Sequence, residues 1–108
     1  MENRSTFLYM IRPTRPGFVE QMLPEEAAAM QAHSAYLRQL SSETTLYLIG
    51  PCLDRAFGLA IFEAASLEAA HQLMEHDPAV ERGVLTSEIH PFLISYLPSG
   101  GLTSMGRP

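Results

Sequence analysis

Apolar residues in this chain fall into short runs with strand character and longer stretches with helical spacing. Residues 6–12 (TFLYMIR) are rich in aromatic, β-branched and long apolar side chains, and Pro13 with Pro16-Gly17 ends the run, so a first strand is expected there. Pro24 followed by Glu25 and Glu26 suits a helix start, because proline fits the first turn and carboxylates meet the positive end of the dipole. That helix runs to about Ser41, with Met30, His33, Leu37 and Leu40 on one stripe at spacings of three and four. Leu46–Leu53 and Phe57–Ala64 read as two strands joined through Asp54-Arg55, a connection short enough for an antiparallel hairpin.

Ser66 can cap a second helix with Leu67, Ala70 and Leu73 or Met74 facing inward. Pro78 biases Asp77 away from helical geometry and should end it. Gly83 then lets the chain turn into a last strand, Val84–Leu97, bent at Pro91. The order β-α-β-β-α-β is the ferredoxin-like, split βαβ arrangement, an α+β fold with a four-stranded antiparallel sheet. Right-handed crossovers put both helices on one face of that sheet. The other face is also apolar, since Leu8 and Met10 alternate with Phe7, Tyr9 and Ile11, and Leu59 and Ile61 with Ala60 and Phe62. A second copy should cover it, which predicts a homodimer with sheets face to face.

Composition narrows the chemistry. The chain has 108 residues, a length typical of one domain, and a net charge of −5. All 7 basic residues are arginine, so lysine Schiff bases, covalently held pyridoxal phosphate and a P-loop lysine are excluded. The single cysteine, Cys52, excludes an intrachain disulfide and a multi-cysteine zinc site. Scattered arginines on an acidic chain do not form the basic stripe that nucleic acid requires. No apolar run approaches membrane-spanning length, and the opening residues lack the apolar stretch of a secretory signal. A cytoplasmic protein acting on a small molecule, with neither nucleic acid nor membrane as partner, is the expectation.

Histidine and carboxylate remain as working groups. Of the 4 histidines, His71 and His76 are five apart, off the spacing of a helical zinc pair, so no metal is expected. His33 sits on the inward stripe of the first helix, and Asp77 continues that of the second. Glu25, Glu26, Glu68 and Glu75 fall where solvent or a helix start accounts for them. An inward carboxylate requires a partner, and an inward histidine could be it. The periodicity by itself favours a structural pair, with Asp77 capping the turn at residues 79–82 and His33 bonding a carbonyl.

Ala32-His33 with Leu37, Ile49-Gly50-Pro51, Gly58, Ser66-Leu67-Glu68-Ala69-Ala70, Asp77-Pro78 with Val80 and Gly83, and Pro91-Phe92 together resemble the YciI-like (YCII-related) family. The resemblance spans residues 6–97, so residues 1–97 are assigned to one domain and 98–108 to a flexible tail. It implies a ferredoxin-like fold that dimerises as an α/β barrel, with an active site built on His33 and Asp77. Activity in the family includes elimination of halide from hydroxylated aromatic intermediates. The long Pro13–Leu23 segment and the tail depart from the family's short members.

The resulting expectation is a cofactor-independent enzyme, lyase- or isomerase-like, in which His33 moves the proton and Asp77 fixes its tautomer. Arg12, Tyr9, Tyr47 and His90 are candidate substrate-binding residues, with Arg12 or a tyrosine holding developing negative charge. The competing expectation is a non-catalytic small-molecule-binding or accessory dimer in which the same pair only orders the pocket.

Overall fold

A computed structural model describes residues 5–98. Strand β1 (Ser5–Pro13) is followed by helix α1 (Pro24–Leu40), strands β2 (Leu46–Pro51) and β3 (Gly58–Ala64), helices α2 (Leu67–Glu75) and α3 (Pro78–Glu81), and strand β4 (Leu85–Pro91). The strands form one sheet in the order β2-β3-β1-β4, and every neighbouring pair is antiparallel. This is the expected ferredoxin-like arrangement.

Strand β2 stops at Pro51, two residues short of expectation, and two further elements differ more. Asp77 does end α2, but its extended backbone (φ −60°, ψ 121°) also opens a third helix, because Pro78 fits an N-terminal turn that Asp77 caps. The last strand stops at Pro91 instead of Leu97. Pro91 lies opposite Phe7, close to the start of β1, so a longer β4 would run past its partner; the Phe92 N–H still donates to the Thr6 carbonyl at 2.9 Å. The expected tail, apart from Pro98, lies outside the described residues.

Strand alternation divides the sheet cleanly. Phe7, Tyr9, Ala60, Phe62 and Ala64 face the helices and pack with Leu37, Leu40, Ala70 and Met74. Ala29 of α1, Ala79 of α3 and Leu85 form an adjoining cluster. The small side chains at Ala29 and Ala79 let α1 and α3 approach closely, which brings the next turn of α1, carrying His33, up to Asp77. On the opposite face Leu8, Met10, Leu59 and Ile61 remain half-buried in the single chain, with Leu48 more exposed.

The long β1–α1 connection is ordered by Arg15. Its guanidinium grips Glu26 through two bonds of 2.8 and 2.7 Å and also donates to the Gln21 carbonyl at 2.8 Å. Glu26 in turn accepts from the Leu23 N–H at 2.8 Å. Its carboxyl is held down to about 2, chiefly by the Arg15 bond and then by the Leu23 amide. Glu26 is thus a buried, paired residue, where the sequence suggested a solvated helix start. A carboxylate near a helix start can serve both purposes, and only the loop's return path decides.

Candidate active site

Three buried side chains meet between α1, α3 and β1. Asp77 is fully buried, Tyr9 is 1% exposed and His33 is 7% exposed. The Asp77 carboxylate divides its work between its oxygens. Oδ1 accepts from the Ala79 N–H at 3.0 Å and caps α3. Oδ2 accepts from the Tyr9 hydroxyl at 2.8 Å and from His33 Nδ1 at 2.6 Å. Asp77 thus caps the α3 turn through one oxygen and meets His33 and Tyr9 through the other.

The network assigns the tautomer. A carboxylate accepts from Nδ1–H, so in the neutral ring Nε2 carries the lone pair. The Tyr9 phenol is pushed up by burial first and by the Asp77 charge next, which keeps it protonated as a donor to Oδ2. His33 Nε2 takes no hydrogen bond from any described residue, and no buried side-chain nitrogen or oxygen among them lacks a partner, so Nε2 meets the space beside α1.

That space is a pocket of about 360 Å³, walled by His33, Ser34, Leu37 and Arg38 on α1 and by Tyr9, Ile11, Ile49 and Ala60 on the sheet. Its floor is open because the side chains there are small. Gly58 stands opposite Ile11 and Ala60 opposite Tyr9 in the β1–β3 ladder, and neither fills the gap beneath α1. A Cβ at Gly58 would come within 3.3 Å of Ile11 Cγ1. An imidazole lone pair at the wall of a largely apolar pocket can take a proton from a bound molecule and return it. Among the described residues no three His, Cys, Asp or Glu side chains gather as a metal ion would require.

Of the residues expected to bind substrate, Tyr9 joins the His33–Asp77 pair, but by contacting Asp77. Arg12, Tyr47 and His90 lie on the other face of the sheet. Arg12 Nη1 contacts Glu88 at 3.2 Å, His90 Nε2 lies 2.8 Å from the same carboxylate, and the Arg12 guanidinium sits 5.6 Å from the Phe57 ring centroid. His90, and then Arg12, holds the Glu88 carboxyl below its ordinary value. The Tyr47 hydroxyl donates to Glu63 at 2.5 Å, and that bond raises the phenol. Arg12 is separated from this pocket by parity, since Tyr9 and Ile11 face the helices and the residue after them faces away. Arg38 and Ser34 line the pocket unanticipated. They stand one residue round the helix from the His33–Leu37 column, off the apolar stripe that marks core positions.

The chain matches the family model for the YCII-related domain over residues 7–93. Among solved structures it is similar to 5-chloro-2-hydroxyhydroquinone dehydrochlorinase from Burkholderia phenoliruptrix AC1100, in complex with 2,5-dihydroxybenzoquinone. The similarity has a TM-score of 0.59 at 22% identity and covers 88% of this chain and 98% of that one. No curated protein matches the chain. Among the described residues no helix is long and apolar enough to cross a membrane.

Proposed function

The chain belongs to the YCII-related family, and from that starting point we propose that it is a cofactor-independent enzyme acting on a small hydroxylated aromatic molecule by proton transfer with elimination or isomerisation. The observation that carries the reading is the 2.6 Å bond from His33 Nδ1 to a buried carboxylate, with Nε2 left at the wall of a ligand-sized pocket. In this reading His33 Nε2 takes the substrate proton and the freed electron pair forms a new π bond. In an elimination the leaving group departs with its own bonding pair; in an isomerisation Nε2 returns the proton at another atom. Asp77 stabilises the imidazolium formed in between and keeps the ring oriented. Tyr9 and the Ala79 amide hold Asp77 in place.

The solved dehydrochlorinase motivates the choice of substrate panel. Chloride release is followed from 5-chloro-2-hydroxyhydroquinone and other chlorinated hydroquinones and catechols, with wild-type chain and with His33→Gln. The expected result is release by the wild type and a loss of at least about 10²-fold in the variant, the scale of one general base. Release that is unchanged in His33→Gln would sink the assignment, and no release from any panel member would overturn the elimination chemistry. The same reading pairs two copies through the face carrying Leu8, Met10, Leu59 and Ile61, because a monomer would leave that apolar surface in water.

A further inference from the structure

The pocket has a charge of its own that proton transfer by His33 leaves unused. One permanent cation, Arg38, stands among its lining side chains, and no carboxylate does. Ser34 and Arg38 are four apart on α1, so they stack on one side of the helix beside the His33–Leu37 column, and both columns border the opening. Arg15 and Arg12 are held elsewhere, by Glu26 and Glu88 respectively. No described carboxylate lies within ion-pair distance of the exposed Arg38 guanidinium. A cation in the last turn of a helix offsets the helix dipole wherever it points. Arg38 does so at the one wall where a base also waits.

We propose that Arg38 is the anion-binding residue of this pocket and that its ligands are small planar organic anions. The guanidinium fork matches a carboxylate, or the paired oxygens of an ionised vicinal diol or hydroxyketone, through two parallel N–H···O bonds. Ile11, Leu37 and Ile49 supply apolar contact for the ring, and a space of about 360 Å³ suits a single substituted ring. The Ser34 hydroxyl is placed to reach a neighbouring oxygen. This proposal deepens the reading of the His33 site and rests on it only for where the reacting atom lies: a ligand anchored at Arg38 presents its ring to Nε2, and the negative charge that proton removal develops falls under the guanidinium's field.

Binding of benzoate and of its uncharged counterpart benzamide separates the two ideas. Wild type, Arg38→Gln and His33→Gln are titrated with each compound and followed by amide NMR shifts along α1. The expected result is that wild type binds benzoate at least about tenfold more tightly than benzamide, the scale of one charge-assisted bond. Arg38→Gln should lose that preference while its benzamide affinity stays the same. His33→Gln should keep the preference while losing turnover. Equal binding of the two compounds by wild type, absence of benzoate binding, or a preference that survives in Arg38→Gln overturns the proposal and leaves the His33 reading intact. Turnover retained in His33→Gln alongside a benzoate preference that depends on Arg38 does the reverse.

Discussion

Asp77→Asn isolates charge from shape at the centre of the site. The variant keeps an oxygen for the Ala79 N–H, and asparagine is as good a helix cap as aspartate, so α3 should hold. What changes is the other position, where an NH₂ replaces Oδ2 and faces the Tyr9 hydroxyl and His33 Nδ1. Tyr9 can rotate its hydroxyl and accept. His33 can satisfy the new donor only by moving its proton from Nδ1 to Nε2, which removes the lone pair from the pocket wall. Two bonds to a charged acceptor, about 1.5–3 kcal/mol each, become two neutral ones of about 1 kcal/mol, and easier burial of an amide offsets part of the loss. The expected cost is about 1–3 kcal/mol, within a domain's usual margin of about 5–15 kcal/mol. Asp77→Ala instead leaves three donors buried without an acceptor, at about 1–3 kcal/mol each, and should approach unfolding. Urea denaturation of both variants measures the difference, and chloride release from a turned-over substrate measures the chemistry. Asp77→Asn should fold yet lose about 10²–10⁴ in turnover. Equal destabilisation by Asn and Ala would refute the division of labour between the two oxygens, and wild-type turnover in Asp77→Asn would refute the tautomer argument.

Three further outcomes follow from other parts of the molecule. The Glu26 carboxyl is held at about 2 against an ordinary 4.5, so its pairing with Arg15 contributes fully above about pH 4.5 and is lost as pH falls through about 2. The melting temperature of Glu26→Gln should therefore lie below that of wild type at pH 7, with the gap closing toward pH 2; a gap independent of pH contradicts the pairing. Gly58→Val places methyl groups against Ile11 and into the pocket floor, so benzoate affinity should fall by at least about tenfold in a chain that still folds, as read by titration and circular dichroism. Unchanged affinity would put the ligand elsewhere. Ile61→Arg puts a charge in the middle of the open sheet face, and sedimentation should show a dimer in wild type and a monomer in the variant; a monomeric wild type contradicts the pairing of sheets.

Much of the fold was legible because its signals are local. Period-two alternation in β1 and β3, the Ser66 cap and the Asp77-Pro78 break each specify their element from a few residues. Helix α3 was missed because four residues carry too little periodicity to stand out, although its cap and its proline were visible. The overlong β4 has a different cause: a strand's extent depends on its partner, and β1 begins at Ser5. The His33–Asp77 pair was readable because inward-facing ionisable residues on two helices of one sheet face have few places to go. Arg12 and His90 show the limit: their residue types suit an anion or proton-transfer site, but strand parity directs them away from the helices. Arg38 lay beyond sequence reading for the opposite reason. A residue at a pocket rim sits just off the buried stripe, where its pattern matches that of any solvated helix residue.

In the proposed site a buried carboxylate pins the His33 proton on Nδ1 and leaves Nε2 free at the pocket. Long-range nitrogen–proton NMR of the imidazole in the wild-type chain tests it directly. The expected spectrum has a protonated Nδ1 and an unprotonated Nε2, with the Nε2 resonance moving when benzoate enters the pocket. A proton found on Nε2 in the neutral ring, or an Nε2 resonance indifferent to the ligand, would contradict the account.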